Sequence, residues 1–206
     1  MVILPLRRSS TICLLGIESR VCGQLLAMRA KNRSREKVAT ALSEVTTEAG
    51  TNLLVLSEAS PVLLVFLRHF GCSFCRQTIS DIADLRGEMQ KLGVRPVFVH
   101  LGTPEVAKAH FDYYGLSDAE RVHDPQAQLY RNPVFGLGRV SVASQLFKPA
   151  VIVGWLKGAI FKHGIGTIQG DGEQMPGVFF LHGPEIVREH VHRTIADVVD
   201  YRALMA

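Results

Sequence analysis

The chain has 206 residues, of which 47% are hydrophobic, so it can bury one substantial core and is expected to form one domain with extensions. Four cysteines are too few for a disulfide scaffold of this length and favour a reducing compartment. The net charge of +4 comes without a phosphate-binding loop or a basic stripe interleaved with aromatic residues, which argues against nucleic acid as a partner. No run of about 18 apolar residues occurs, so no membrane span is expected.

Residues 1–34 are expected to form an N-terminal extension outside the domain. They are rich in arginine and poor in acids, which faintly resembles a mitochondrial transit peptide. Glu18 and Arg20 interrupt the apolar part, so the segment is not a good secretory signal. We favour a disordered extension and a cytoplasmic location, with a mitochondrial location as the alternative.

The domain, residues 35–206, begins with patterns that alternate between helical and extended. A helix is expected at 35–45 and a short strand at 51–56. The six apolar residues from Val62 to Leu67 lack helical spacing and are rich in Val, Leu and Phe. They predict a strand buried on both faces.

The rest of the domain continues this alternation. The predicted elements are, in order, a helix after Cys72 that ends near Gly93, a strand at 94–101, a helix at 104–114, a short strand near 123, a helix at 124–130, a hairpin at 174–192 and a last helix capped by Thr194. Such alternation predicts an α/β fold with helices on both faces of the sheet. A Gly-rich, apolar insertion at 132–175 interrupts it.

The motif Cys72-Ser-Phe-Cys75 lies at the turn from the buried strand to the following helix. Cys72 falls near the first helical turn, where unpaired N–H groups and the helix dipole favour a thiolate. Arg68, His69 and Arg76 add positive charge nearby in sequence. Cys75 lies one turn further on, within reach of Cys72 for an intramolecular disulfide. This arrangement favours redox chemistry.

Other interpretations of the cysteines and histidines remain open. The pair could be structural, or half of a zinc site that would need two further ligands. Cys13 and Cys22 belong to an unrelated segment. His190 and His192 share one face of a predicted strand, but the sequence pairs no carboxylate or cysteine with them, which favours a solvated strand end. We therefore expect no metal and no other cofactor.

Two stretches carry a family resemblance: Phe66-Leu-Arg-His-Phe-Gly-Cys-Ser-Phe-Cys-Arg76 and Gly170-Asp-Gly-Glu-Gln-Met-Pro-Gly-Val-Phe179. Together they resemble the peroxiredoxin-like branch of the AhpC/TSA antioxidant superfamily, which includes relatives of selenoprotein L and prostamide synthase. The resemblance covers roughly residues 35–204. It implies a thioredoxin-like fold, with a central mixed sheet flanked by helices on both faces and an insertion before the strand that a cis-proline introduces.

The resemblance also implies roles for individual residues. Cys72 would be the attacking thiol and Cys75 the resolving thiol of a redox disulfide. Pro176 would be the cis-proline facing the motif, and the backbone of Met175 could pair with an extended substrate. From the residues alone, an ordinary trans proline at a strand start stays equally open for Pro176.

One position departs from the family pattern. Typical peroxiredoxins have threonine three residues before the attacking cysteine, where this chain has His69. Fast peroxidase activity is therefore in doubt. His69, beside Arg68, could orient substrate or share a proton with Cys72, or it could simply pack at the strand end.

The function implied is thiol-dependent reduction of hydroperoxides through the Cys72–Cys75 cycle, with Arg68 and His69 in the catalytic loop. The reductant would be an external dithiol of the thioredoxin or glutathione type. A protein thiol–disulfide oxidoreductase and a prostaglandin-endoperoxide reductase are alternatives of the same chemistry. A redox-sensing interaction module without turnover is the alternative of another class, and a homodimer is left open.

Overall fold

The computed structural model describes residues 19–141, 144, 148–156, 164 and 171–206. Of the expected N-terminal extension, residues 1–18 lie outside the described residues, and residues 19–34 belong to a helix that continues to Ser43. Most of the second half of the predicted insertion, between 157 and 170, also lies outside them, including Gly170.

The described residues form the helices α1 Ser19–Ser43, α2 Leu53–Ala59, α3 Ser73–Lys91, α4 Pro104–Tyr113, α5 Gln128–Arg131, α6 Pro149–Leu156 and α7 Tyr201–Met205. They form the strands β1 Val62–Phe66, β2 Arg95–His100, β3 Glu120–His123, β4 Gly177–Leu181 and β5 Ile186–Val191. None of these helices has the length and hydrophobicity needed to cross a bilayer.

The five strands form one mixed sheet in the order β3-β2-β1-β4-β5. β1 pairs in parallel with β2 and antiparallel with β4, while β2–β3 is parallel and β4–β5 antiparallel. β1 is central, and all five of its residues are buried, as its apolar run predicts. The predicted mixed sheet and the predicted hairpin at 174–192 are confirmed.

Alternation along β1 divides the core into two layers, because successive side chains point to opposite faces. Leu63 and Val65 pack with α3, α4 and α7. Leu64 and Phe66 pack with α1, α2 and α5 on the other face. Helices on both faces are thus confirmed, and the carboxyl end of β1 emerges between the two layers.

The predicted strand at 51–56 is wrong, since this segment opens helix α2. The side chain of Asn52 accepts hydrogen bonds from the backbone N–H groups of Leu54 (3.0 Å) and Val55 (3.4 Å). An N-cap of this kind satisfies donors that a helix start leaves unpaired. The apolar residues that indicated a strand, such as Leu53 and Leu56, instead face the core from one side of the helix.

The last helix begins later than Thr194, where it was predicted to be capped. The carboxylate of Asp197 turns back to accept from the N–H groups of Arg193 (2.6 Å) and Thr194 (3.2 Å), which closes a local turn. Asp200 then caps α7 through the N–H of Ala203 at 2.9 Å. Local side-chain hydrogen bonds therefore compete with the helix over these residues.

The expectation of a cis-proline at Pro176 is wrong, because no described peptide bond is cis. The N–H of Met175 donates to the carbonyl of Gly138 at 2.9 Å, and the carbonyl of Pro176 accepts from the N–H of His192 at 3.4 Å. The backbone is therefore hydrogen-bonded on both sides of the Met175–Pro176 peptide bond. It is extended there, and the bond has the preferred trans form. Pro176 lies just before β4, where the absence of an N–H removes no hydrogen bond from the sheet.

Candidate functional site

The site is built where β1 ends and α3 begins. Cys72 is the N-cap residue of α3, with extended backbone angles of −83° and 120°. Its N–H donates to the carbonyl of His69 at 3.1 Å, and its carbonyl accepts from the N–H of Arg76 at 3.1 Å. The side chain is thereby fixed at the positive end of the helix dipole, as the sequence predicts.

The two thiols, both free, differ in acidity. A hydrogen bond from the Cys75 thiol lowers the pKa of Cys72 from 9.0 to about 6, helped by the Arg68 guanidinium and nearby backbone N–H groups and opposed by burial. Donating that hydrogen bond, together with burial, raises the pKa of Cys75 well above 9.0. At neutral pH Cys72 is therefore the thiolate and Cys75 keeps its proton.

Arg68 aims its positive charge at Cys72. One of its guanidinium nitrogens, Nη1, lies 3.8 Å from the Cys72 sulfur. Its Nε donates to the carbonyl of Gln174 at 3.2 Å, and its third nitrogen donates to the carbonyl of Gly172. Only 3% of Arg68 is exposed, so little solvent screens this charge. The forked guanidinium thus joins the thiolate to a loop about a hundred residues away in sequence.

That loop, residues 171–174, is itself held by polar side chains. Asp171 accepts from the N–H of Glu173 at 3.0 Å and forms an ion pair with Arg139 at 2.9 Å. The buried side-chain amide of Gln174 donates to two backbone carbonyls of the segment at 137–138. Because these contacts fix the carbonyls that hold Arg68, they also fix the charge beside Cys72.

His69 lies in the loop between β1 and Cys72 and is neutral. Burial, with the positive charges of Arg68 and Arg76, lowers its pKa to about 4. Its Nδ1 atom is buried and has no hydrogen-bond partner. Since Cys72 already ionises near pH 6, the geometry does not require His69 as the base that removes its proton.

Of the two predicted substrate-binding residues, Met175 already has its backbone N–H hydrogen-bonded and its side chain buried within the protein. Its N–H is bonded to Gly138, and its side chain, 3% exposed, packs with Val151 and Ile195. Strand addition at its N–H would have to break that hydrogen bond. Pro176 instead lines a cavity that Cys75 also lines.

This cavity has a volume of about 110 Å³ and lies between β1, α3 and the turn before α7. Its lining is mostly apolar but includes several polar groups; among the lining residues are Phe74, Cys75, Pro176, His192, Ile195 and Asp197. Of the two motif cysteines, Cys75 lines this cavity and Cys72 does not.

Solved structures with the same fold include peroxiredoxins. The peroxidoxin BcpB of Mycobacterium tuberculosis aligns with a TM-score of 0.53 at 12% identity, over 78% of this chain and 87% of the other. Peroxiredoxin Q of Xanthomonas campestris aligns with a TM-score of 0.52 at 15% identity, over 76% and 85%. At such identities the comparison establishes the fold, and the predicted thioredoxin-like, peroxiredoxin-type architecture is confirmed.

The sequence itself decides the family. A profile of the AhpC/TSA antioxidant enzyme family matches residues 81–194, which is more than half of the chain. The chain belongs to the AhpC/TSA antioxidant enzyme family. The AhpC/TSA match begins after Cys75, so it includes Met175 and Pro176 but neither cysteine of the motif.

One named protein is similar in sequence to part of this chain. The prostamide/prostaglandin F synthase of Salmo salar is 30% identical over 95 residues, which is 46% of this chain and 46% of that protein. The match thus spans slightly less than half of the relative's length.

Three residues of the site carry no clear signal in the sequence. The Tyr130 hydroxyl donates to the carbonyl of Leu67, the residue just before Arg68, and to the carbonyl of Val99 at 2.9 Å. Gln174 lies in a quoted motif, but its support of the loop depends on a segment 36 residues earlier. The predicted helix after Thr194 would include Asp197, which instead lies beside His190 and His192.

Proposed function

We propose that this protein is a thiol-dependent oxidoreductase that reduces hydroperoxides through a Cys72–Cys75 cycle. The observation that carries the proposal is the position of Cys72 at the start of α3, with the Arg68 Nη1 atom 3.8 Å from its sulfur. These surroundings and the hydrogen bond from Cys75 lower the pKa of Cys72 and favour its thiolate, while the pKa of Cys75 is raised. The thiolate is the nucleophilic form of cysteine. Family membership in the antioxidant enzymes supports the same chemistry.

The first step forms a sulfur–oxygen bond. The Cys72 thiolate attacks one peroxide oxygen, the O–O bond breaks, and the departing hydroxide or alkoxide takes a proton to become water or an alcohol. Cys72 becomes a sulfenic acid and the peroxide is reduced by two electrons. The Arg68 guanidinium, 3.8 Å from the sulfur, is placed to stabilise the negative charge that develops on the departing oxygen.

The second step forms the disulfide. Cys75 gives up its proton and attacks the Cys72 sulfur, and the hydroxyl group of the sulfenic acid leaves with that proton as water. An external reductant, either one dithiol of the thioredoxin type or two thiols of the glutathione type, then returns two electrons, restores both thiols and is itself oxidised to a disulfide.

The test combines thiol titration with intact-mass measurement in a Cys13→Ser/Cys22→Ser background. Of the four cysteines of the chain, only the two of the motif then remain. One equivalent of hydrogen peroxide should remove both thiols and two hydrogens from the mass. Cys75→Ser should stop at the sulfenic acid, and Cys72→Ser should not react. Unchanged peroxide turnover in Cys72→Ser would sink the proposal.

A protein thiol–disulfide oxidoreductase is the second candidate, and His69 favours it. A buried neutral imidazole stands where peroxiredoxins typically use a threonine hydroxyl to bind peroxide. If peroxide leaves the two thiols intact but an oxidised dithiol protein converts them to the disulfide, this second candidate is correct.

Reduction of a bulky prostaglandin endoperoxide, the remaining alternative of the same chemistry, is not favoured by the size of the cavity. The cavity beside Cys75 holds about 110 Å³, whereas pockets for drug-sized ligands usually hold about 300–1,000 Å³. The cytoplasmic location and the homodimer stay predictions.

A further inference from the structure

Two histidines and one aspartate meet at the end of β5. His190 pairs with Val178 of β4, and the Val178 side chain packs in the core layer that contains α3. Directly paired residues share a face, and His192 follows two residues later on that face. The turn after β5 brings Asp197 to the same place. One ligand atom from each of the three residues lies within 4.8 Å of the others.

One imidazole nitrogen of each histidine in this cluster is buried without a hydrogen-bond partner. His192 is 9% exposed, and its Nδ1 is buried without a hydrogen bond. His190 has a buried Nε2 atom that also has no partner. Such unpaired buried nitrogens are unusual, since nearly all buried polar atoms in folded proteins are satisfied. Both nitrogens are therefore available as ligand atoms.

The third group, Asp197, is held in orientation by the backbone. Its Oδ2 accepts from the N–H of Arg193 at 2.6 Å, and its Oδ1 accepts from the N–H of Thr194 at 3.2 Å and from the Thr194 hydroxyl. Hydrogen bonds of this kind orient the carboxylates that bind metals in proteins. The carboxylate oxygens retain lone pairs for a further ligand.

We propose that His190, His192 and Asp197 form a binding site for a divalent transition-metal ion of the zinc type. Two imidazoles and a carboxylate suit such ions, whereas magnesium and calcium prefer oxygen ligands alone. The sequence alone pairs no carboxylate with the two histidines and favours a solvated strand end. The fold changes that view, because it supplies the carboxylate and buries His192.

The three ligand atoms need to move only slightly closer together to bind a zinc ion. Ligands about 2.0–2.2 Å from a tetrahedral zinc ion lie roughly 3.4 Å apart, compared with at most 4.8 Å here. Small rotations of the two imidazoles can close that difference while Asp197 keeps its hydrogen bonds. Three protein ligands leave a fourth coordination position. His192 and Asp197 line the cavity that Cys75 also lines, so the proposed metal site and the dithiol border one cavity.

The test removes the competing thiols, since cysteine pairs themselves bind zinc. All four cysteines are replaced by serine, and the metal-free protein is titrated with Zn²⁺ by calorimetry. One equivalent should bind. Either His192→Asn or Asp197→Asn should weaken binding by more than about 100-fold, because loss of an outer partner of a ligand alone costs about 10- to 100-fold. The matched control is His182→Asn, an exposed histidine of the same hairpin, which should bind as the parent does.

A second variant and a second readout guard against misfolding. His190→Asn changes a less buried side chain and should lose binding with an unchanged circular dichroism spectrum. Zn²⁺ should raise the Tm of the cysteine-free protein but not of His190→Asn. The proposal is overturned if no stoichiometric binding occurs, or if binding survives in His190→Asn and Asp197→Asn. Because the protein tested has no cysteine, neither result depends on the proposed thiol chemistry.

Discussion

The reactivity of Cys72 depends on a few neighbouring groups. The Cys75 thiol donates to it, and the Arg68 guanidinium lies 3.8 Å from its sulfur. Arg68 keeps that position because it also donates to the carbonyls of Gly172 and Gln174. A lysine would keep the charge but could not reproduce the forked contact.

The pH dependence of alkylation at Cys72 tests this arrangement. Because the pKa of Cys72 is lowered to about 6, the thiolate is lost as pH falls through 6 and is complete well above it. The rate of reaction with iodoacetamide should therefore rise between about pH 5 and 7 and then level off. In Arg68→Lys the midpoint should move upward toward the ordinary value of 9.0.

The site of modification is read by mass spectrometry in the Cys13→Ser/Cys22→Ser background. Arg202→Lys is the control, since this arginine is largely exposed and pairs with Glu88 away from the motif. A midpoint near 9 in the parent protein would contradict the acidity assigned to Cys72. An unchanged midpoint in Arg68→Lys would show that Arg68 does not contribute to the lowered pKa of Cys72.

At the scale of elements, α2 shows how one side chain decides between a strand and a helix. Asn52 caps α2 with its Oδ1 atom and donates from Nδ2 to the carbonyls of Ser43 (2.8 Å) and Val45 (3.3 Å). It therefore joins the start of α2 to the end of α1. Both helices cover the β1 face opposite to the cysteines.

Asn52→Ala should lower the free energy of unfolding by about 1–2 kcal/mol, because the cap and the two donated hydrogen bonds are lost together. Urea unfolding measures this change, with an unchanged slope if the transition stays two-state. Glu58→Ala, at an exposed position of the same helix, should change stability by no more than about 0.5 kcal/mol. Equal losses in the two variants would show that the cap is not the cause.

At the scale of the whole molecule, the site rests on contacts between distant parts of the chain. Tyr130, from α5, is fully buried and donates to the carbonyls of Leu67 and Val99 at the ends of β1 and β2. Leu67 immediately precedes Arg68. The core layer on the face of the sheet opposite to the cysteines thus supports the loop that carries Arg68 and its positive charge.

Tyr130→Phe should lower the free energy of unfolding by about 1–2 kcal/mol, because the carbonyl of Leu67 loses a buried donor. Thermal or urea unfolding gives the value. The control is Tyr113→Phe, where the ring is 81% exposed and the change should be small. If both variants lose the same stability, the buried hydroxyl does not hold the strand ends.

Local patterns were sufficient for much of the fold. The apolar run of β1, the helix after Cys72, Pro104 at the start of α4 and the turn containing Gly183 are confirmed because each depends on neighbours in sequence. Three other local expectations are wrong or displaced. The segment at 51–56 is helical because Asn52 caps it, α5 starts only at Gln128, and α7 begins at Tyr201 because Asp197 closes a turn before it.

By itself, the sequence determined the place of the dithiol at a helix start, the resemblance to the AhpC/TSA family and the α/β order of elements, because these follow from adjacent residues and their spacing. Only the tertiary structure decided that Arg68 is held by the loop at 171–174, that Pro176 follows a trans bond and that Asp197 joins His190 and His192. Those contacts join residues whose proximity comes from sheet pairing and burial, and no local spacing encodes them.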